Sequence, residues 1–535
     1  MSNATTCWLP QLTRLRSWAK VLAVDVRSLA AVRIGMGVVL LVTLAVRAGD
    51  VTAFYSDSGV LPRAARIALD QEWVGTTPPY WISLHMLSGY TWFQLGLFAA
   101  AAIAAVGVMV GYRTRLSIAI SWLLLVSLQG RNPLVLHGGD NVLRCLLFWA
   151  MLLPMGAVWS LDQWLTKSKS PSHVLNCASA AVLLQLCIIY WFTGILKSDP
   201  LWRSEFTATY FALSMDHFTT ALGYALLPFP TLLQMLTVGV LLLEIGGPTL
   251  LLFPIGNRVF RVIIPFAFIM FHAGLALTMR LGEFPFICMI YWLIVLPREF
   301  WKSKPTDHLV QLTTRLLSFL SSLVENSPFN AVPWRRLFGQ PHPGFFQIGA
   351  ATNVLVLFLL SYVVLVNGYR ANGNWGLHMS PGPLRVLGDA AQLNQYWGMF
   401  APRPYATGGW ISLEGILVNG ERVNLFHPEL PPQTSRPAFA SASYKNMQWR
   451  RFLLNMLAAY SPIQRQGLSD YLQRQWNASH SPDEQLAVVE LIHRARPILP
   501  PGSHLPRPTI PITLLRKDYI TNTCVMARDS GIGGS

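Results

Sequence analysis

Nine apolar runs, at residues 29–48, 92–111, 116–128, 142–159, 178–196, 232–253, 262–279, 284–297 and 346–367, dominate this chain of 535 residues. About 20 apolar residues in a helix cover the hydrocarbon core of a bilayer. Most of the runs reach that length; 116–128 and 284–297 fall short, and depend on their flanks or enter as re-entrant segments. Only 12% of residues are charged, where a soluble chain carries about a quarter. Much of the surface therefore faces lipid, and the expected fold is an all-α polytopic membrane bundle of eight or nine spans.

The formal net charge of +16 is distributed by loop. Arg14, Arg16, Lys20 and Arg27 precede the first run, and Arg113 and Arg115 separate the second from the third. Lys167 and Lys169 follow the fourth, and Arg258 and Arg261 follow the sixth. Arg298, Lys302, Lys304, Arg315, Arg335 and Arg336 lie between the eighth and ninth. Every alternate loop is basic, so the positive-inside rule puts the N-terminus in the cytoplasm and the C-terminal region on the outer, periplasmic or extracellular, side. The basic excess is topology and calls for no nucleic-acid partner. The first apolar run is long enough to stay in the bilayer, so residues 1–27 read as a cytoplasmic segment and not as a cleaved signal.

Residues 28–300 form the main transmembrane domain. Residues 301–345 are a cytoplasmic connection in which Leu309, Leu312, Leu316, Phe319, Leu320 and Leu323 share one helical face, as in a helix lying on the membrane or packing beneath the bundle. The last span, 346–367, leads to a small extramembrane α+β module at 380–500. There, strand-like runs at 410–418 and 422–426 flank Asn419-Gly420, a strong hairpin signal. Amphipathic helices are expected at about 443–460 and 482–496. Residues 501–535 are rich in proline, end in "SGIGGS", and read as a disordered tail.

Ionisable groups inside spans are costly and mark function or internal pairing. Arg33, Arg144, Glu244 and His272 are such groups, and Glu244 paired with Arg33, Arg144 or His272 would account for them structurally. In "QGRNPLVLHGGDNVLR" (129–144), His137 and Asp140 flank two glycines. Asp140 is either a helix cap or part of a polar outer pocket. The six cysteines show no CxxC or zinc spacing, and no metal is expected. P-loop, GxGxxG, HExxH and GxSxG motifs are absent.

"GILKSDPLWRS" (194–204) places Lys197 at the end of the fifth run, on the expected outer side. One reading is an anchor, snorkelling to the headgroups with Trp191 and Trp202 as belt residues. The other is chemical: Tyr190, Trp191, Phe192 and Trp202 would desolvate the amine, disfavour its charged form and leave a general base. Pairing with Asp199 would work against that.

The ordered set "FYSDSGVLP", "GRNPLVLHGGDNVLRCLLFWAMLLPMG", "YWFTGILKSDPLWRSEFTATYFALSMDHF", "LLEIGGPTLLLFP" and "FHAGLALTMRLGEFPF" resembles the HTTM domain shared with vitamin K-dependent gamma-carboxylase. "WGMFAPRP" with "GGWISLEGILVNGERVNL" resembles the domain that often follows it in bacterial members. The resemblance implies that Lys197 is the base that deprotonates a reduced lipid-soluble quinone of the vitamin K kind, with Asp140, His137 or His272 assisting. It further implies O2 and CO2 as co-substrates, quinol epoxidation coupled to a carbon–carbon lyase-type carboxylation, and an exported protein or peptide as partner. The chain departs from the animal enzyme in lacking its long propeptide- and substrate-binding region, and "LHGGDN" sets His137 a few positions before the family's catalytic histidine. A second class of function is a non-enzymatic transporter or maturation factor for exported proteins, with Glu244, His272 and the glycine breaks lining a path.

Overall fold

The computed structural model describes residues 21–74, 83–166, 172–303, 348–371, 382–432, 435–458 and 461–527, with single positions 311 and 315. The bundle comprises α1 (Val26–Ala48), α2 (Thr91–Val110), α3 (Thr114–Arg131), α4 (Gly138–Ala150), α5 (Cys177–Leu196), α6 (Pro230–Leu252), α7 (Asn257–Thr278), α8 (Phe284–Trp292) and α9 (Ala350–Ala371). Among the described residues six of these are long and apolar enough to cross a membrane: α1, α2, α5, α6, α7 and α9. The protein is an integral membrane protein. The other three runs give α3, which is bounded by polar ends, and the shorter α4 and α8. Pro154 follows the end of α4, where the chain leaves the helix in turns.

Helix α5 is the axis of the bundle. It packs on α4, α6 and α9, and 72% of its apolar window is inside the protein, against 28% for α2 and α7. The outer helices keep Val38, Leu95, Ile103, Met235, Leu242, Met270 and Leu355 exposed. Such surface is stable only against hydrocarbon, which explains why the chain spends apolar residues on faces that touch no other helix.

At one end of the bundle Val24–Asp25 pairs with His173–Val174, and Arg261 donates to the carbonyls of Val21 and Ala23 at 2.8 and 2.7 Å. The C-terminal module covers the opposite end. It contains a five-stranded antiparallel sheet, β1 (Thr407–Leu417), β2 (Arg422–Asn424), β3 (Leu486–Pro497), β4 (Ile510–Asp518) and β5 (Thr523–Met526), in the order β2-β1-β3-β4-β5. Two helices, α10 (Met447–Ala458) and α11 (Pro462–Asn477), accompany it. Gly420 closes the β1–β2 turn with φ 88°, donating to the Leu417 carbonyl at 2.9 Å.

Two local expectations are corrected. In place of the helix expected at 482–496, Pro482–Glu484 form one 3-10 turn and Leu486–Pro497 the central strand β3; β-branched Val488, Val489 and Ile492 suit a strand, and residues 486–495 are all buried between β1 and β4. Residues 510–526, assigned by composition to a disordered tail, form β4 and β5. Fully buried Leu514 and Leu515 and the ladder to β3 outweigh the proline content. Residues 528–535, residues 1–20 and nearly all of the 301–345 connection lie outside the described residues.

The module and the bundle share one core. Phe54, Tyr55, Leu61, Leu69 and Leu134 pack in a single cluster with Ile411, Leu413, Trp449, Phe452, Val489 and Leu514. Polar ties reinforce it: Lys445 Nζ and Trp449 Nε1 donate to Asp50 at 2.9 and 3.1 Å, and Arg451 donates to the Leu136 carbonyl at 2.8 Å.

Candidate functional site

Lys197 caps the C-terminus of α5 at the end of the bundle that the module covers. Its Nζ donates to both carboxylate oxygens of Glu244, at 2.6 and 2.5 Å, and both side chains are buried. Gly194 permits this reach: a Cβ there would stand 2.7 Å from Ile245 Cγ1 and 3.4 Å from Glu244 Cβ, so α5 can lie close against α6. The Trp202 ring lies 4.7 Å from Nζ, within cation–π range. Asp199 does not pair with the amine; it caps the short helix Pro200–Arg203 by accepting from Leu201 N at 3.0 Å. Arg203 donates at 2.7 Å to the carbonyls of Lys197 and Gly194, satisfying the last turn of α5.

The partner of Glu244 is thus Lys197, and not Arg33, Arg144 or His272. Arg33 is spent on backbone carbonyls of Val108 and Met109, at 2.7 Å each, and of Trp159. Arg144 donates to Gln129 Oε1 at 2.9 Å and to the Asn394 carbonyl at 2.7 Å. His272 Nε2 meets Tyr190 Oη at 2.7 Å, while its Nδ1 has no partner among the described residues. Trp191 does not cover the amine by hydrogen bonding; its Nε1 donates to the Ile245 carbonyl at 3.2 Å and Thr249 Oγ1 at 3.0 Å, tying α5 to α6.

His137 and Asp140 form a second cluster at the start of α4. Asp140 accepts from Arg47 Nη2 at 2.6 Å and from His137 N at 3.0 Å. His137 Nδ1 accepts from Gly139 N at 3.1 Å, which puts the ring proton on Nε2, and Nε2 lies 3.3 Å from Glu283 Oε2 and 3.6 Å from Asp140 Oδ2. Asp140 is therefore both a cap and a member of a buried Arg47–Asp140–His137–Glu283 chain. Arg47 and Glu283 were not picked out from the sequence. A buried arginine at the end of the first apolar run, and an acid just before "FPF", were the available signals.

A segment beyond the bundle, residues 393–402, joins the clusters. Leu393, Gln395 and Trp397 are buried, and Gln395 Oε1 accepts from Gln185 at 2.7 Å and from Trp397 Nε1 at 2.8 Å. Phe400 O accepts from Trp202 Nε1 at 3.0 Å. Its neighbour Met399 faces the other cluster: a Cβ on Gly138 would lie 3.4 Å from Met399 Sδ and 3.5 Å from Phe284 Cδ2. The Phe284 ring in turn contacts His272, with centroids 5.7 Å apart. An apolar pocket lined by Leu40, Thr43, His85, Phe98, Leu125 and Leu128 includes none of these groups.

Chemically, the arrangement offers a buried amine with a proton acceptor behind it and the Trp202 ring beside it. No solved structure gives a significant match to the chain. The HTTM domain profile matches residues 22–301, more than half of the 535 residues, and covers Lys197, Glu244, Asp140, His137 and Glu283. The chain belongs to the HTTM domain family.

Proposed function

We propose that this protein is a membrane enzyme of the vitamin K-dependent gamma-carboxylase type in which Lys197 acts as base towards a reduced lipid-soluble quinone. The observation that carries the reading is the Lys197–Glu244 pair, buried against Trp202. An ammonium is no base until its proton has somewhere to go. Transfer along the 2.5 Å contact to Glu244 turns ammonium and carboxylate into amine and carboxylic acid without creating net charge in a low-dielectric site. The amine can then accept a hydroxyl proton, while the rings of Trp202 and Phe400 exclude water and offer faces for an aromatic partner.

These residues fit a quinol by their chemistry: an amine for its hydroxyl and aromatic surface for its ring. When bound, that group, with O2 and CO2, would supply the oxidation and carboxylation chemistry of the family resemblance. Gly139 N–H fixes the His137 ring through Nδ1, and Asp140, held by Arg47, fixes its backbone, so the Nε2 side of the ring is turned to Glu283. The basic loops favour a cytoplasmic N-terminus, with Lys197 and the module on the outer side where an exported peptide would be reached. The test is quinol oxidation in membranes carrying Lys197→Met. Loss of turnover per amount of folded protein is expected; full turnover on that basis refutes the reading.

The unpartnered Nδ1 of His272, inside α7, favours a second reading as a transporter or maturation factor. In that case His272→Phe abolishes function while Lys197→Met retains it, and transport specifically would appear as ligand-dependent flux in liposomes.

A further inference from the structure

Where the bundle meets the module, one carboxylate lies against two guanidinium groups, and a third arginine adds its charge to theirs. Buried Asp216 accepts from Arg436 Nη2 at 2.6 Å, Arg436 Nε at 3.1 Å, Tyr224 Oη at 2.9 Å and Gly409 N at 2.9 Å. Arg496 Nη1 is 3.9 Å from the other side of the same carboxylate. Arg507 donates to Tyr210 Oη at 3.2 Å, and its charge, with that of Arg436, opposes the charge on Arg496. Elsewhere on the sheet each of three arginines is in direct contact with one of two carboxylates: Arg494 with Glu414, and Arg422 and Arg516 with Glu490. At the seam, Arg436 and Arg496 share the single carboxylate of Asp216 and Arg507 adds a third positive charge beside Arg496, which leaves positive charge in excess.

The depth of this seam is that of a membrane surface. Ile498, two residues beyond Arg496, packs in one cluster with Tyr210, with Leu233 in the first turn of α6 and with Met279 just past α7. Around it Leu222, Phe229, Phe439 and Leu505 are exposed by 46, 57, 43 and 68%. The Phe439 ring lies 6.3 Å from that of Tyr224, over which the Arg436 guanidinium sits at 5.2 Å. Apolar side chains left open beside unneutralised arginines, at the ends of two spanning helices, match a lipid at the interface: acyl chains against the former, phosphate against the latter. A soluble acidic peptide would satisfy the charge and leave the apolar residues in water.

We propose that Arg436, Arg496 and Arg507 hold the headgroup phosphate of an anionic phospholipid at the seam between the bundle and the module. The site is independent of any catalytic reading. Tyr224 and Asp216 set the Arg436 fork, and Arg496 and Arg507 supply the unmatched charge.

The experiment compares retention of phosphatidylglycerol and phosphatidylcholine by the full chain in detergent, using native mass spectrometry. The variant is Arg496→Gln/Arg507→Gln, which leaves the Arg436–Asp216 pair in place. Wild type is expected to prefer phosphatidylglycerol. The double variant should lose about fivefold per arginine, roughly twenty-five-fold in all, at an unchanged melting temperature. Arg496→Lys/Arg507→Lys, which preserves charge, should retain most of the preference. Equal retention of the two lipids by wild type, or a preference untouched in the double variant, overturns the proposal. So does displacement of the lipid by millimolar inorganic phosphate, which would mark a free-anion site.

Discussion

Trp202 Nε1 donates to the carbonyl of Phe400 at 3.0 Å, a bond that spans 198 residues and joins the Lys197 loop to a segment outside the HTTM match. One face of the Trp202 ring is engaged with the Lys197 amine, so the same side chain reads both the catalytic candidate and the segment that walls it in. Trp202→Leu removes the bond and the cation–π contact together. A loss of about 1–3 kcal/mol in stability is expected, read by thermal unfolding in detergent. Trp202→Phe should keep part of the ring interaction and recover part of that loss.

Breaking the buried ion pair from either side leaves the other charge stranded. Lys197→Met and Glu244→Gln should each cost about 3–5 kcal/mol, or force the remaining partner to discharge. The double variant Lys197→Met/Glu244→Leu should regain most of the stability and none of the quinol turnover. Unfolding curves and turnover on the same three samples separate the structural from the chemical role.

Helix α11 lies tight on the loop between the first two spans. A Cβ on Gly467 would stand 2.3 Å from the Val60 carbonyl oxygen, which is backbone and cannot turn aside. Gly467→Ala is therefore expected to destabilise the seam by about 1–3 kcal/mol despite raising helix propensity. Faster limited proteolysis of the module, with the spans left intact, would report it.

His217 should make docking of the module sensitive to acid. Burial pushes its imidazole down to about 4, and Arg450 and His493 add to the effect, while Asp216 and the Gly409 backbone work the other way. Above pH 6.5 the ring is neutral whether the seam is closed or open. As pH falls from 6.5 towards 4, the opened form takes up a proton that the closed form refuses, and up to about 3 kcal/mol of stability is lost. His217→Asn should flatten this stretch of a melting-temperature profile. An unchanged slope would assign the acid sensitivity to carboxylates.

The membrane bundle and its family were legible because lipid imposes a length and a polarity that a single sequence displays. Lys197 and Glu244 were each conspicuous as charged groups among apolar neighbours, but their pairing was not. They are 47 residues apart on different helices, and nothing in the sequence records how α5 is rotated against α6. Glu244 was matched instead to Arg33, Arg144 or His272, whose hydrogen-bonding capacity goes to carbonyls, Gln129 or Tyr190. The hairpin at Gly420 was readable from two residues. Strand β3 was not, because a strand buried on both faces loses the alternation that distinguishes it from a helix. The prolines of the tail hid β4 for a related reason: its order comes from pairing with β3 and not from its own composition.

The cluster that joins Phe54, Tyr55 and Leu61 to Trp449, Phe452 and Leu514 separates the unit of inheritance from the unit of folding. The family match ends at residue 301, yet the first loop of the matched region has its apolar side chains inside a core completed by residues some four hundred positions later. A graft of this bundle onto another C-terminal region would have to carry residues 51–69 as part of the graft partner. A truncation at residue 301 should yield spans that insert and a loop that aggregates.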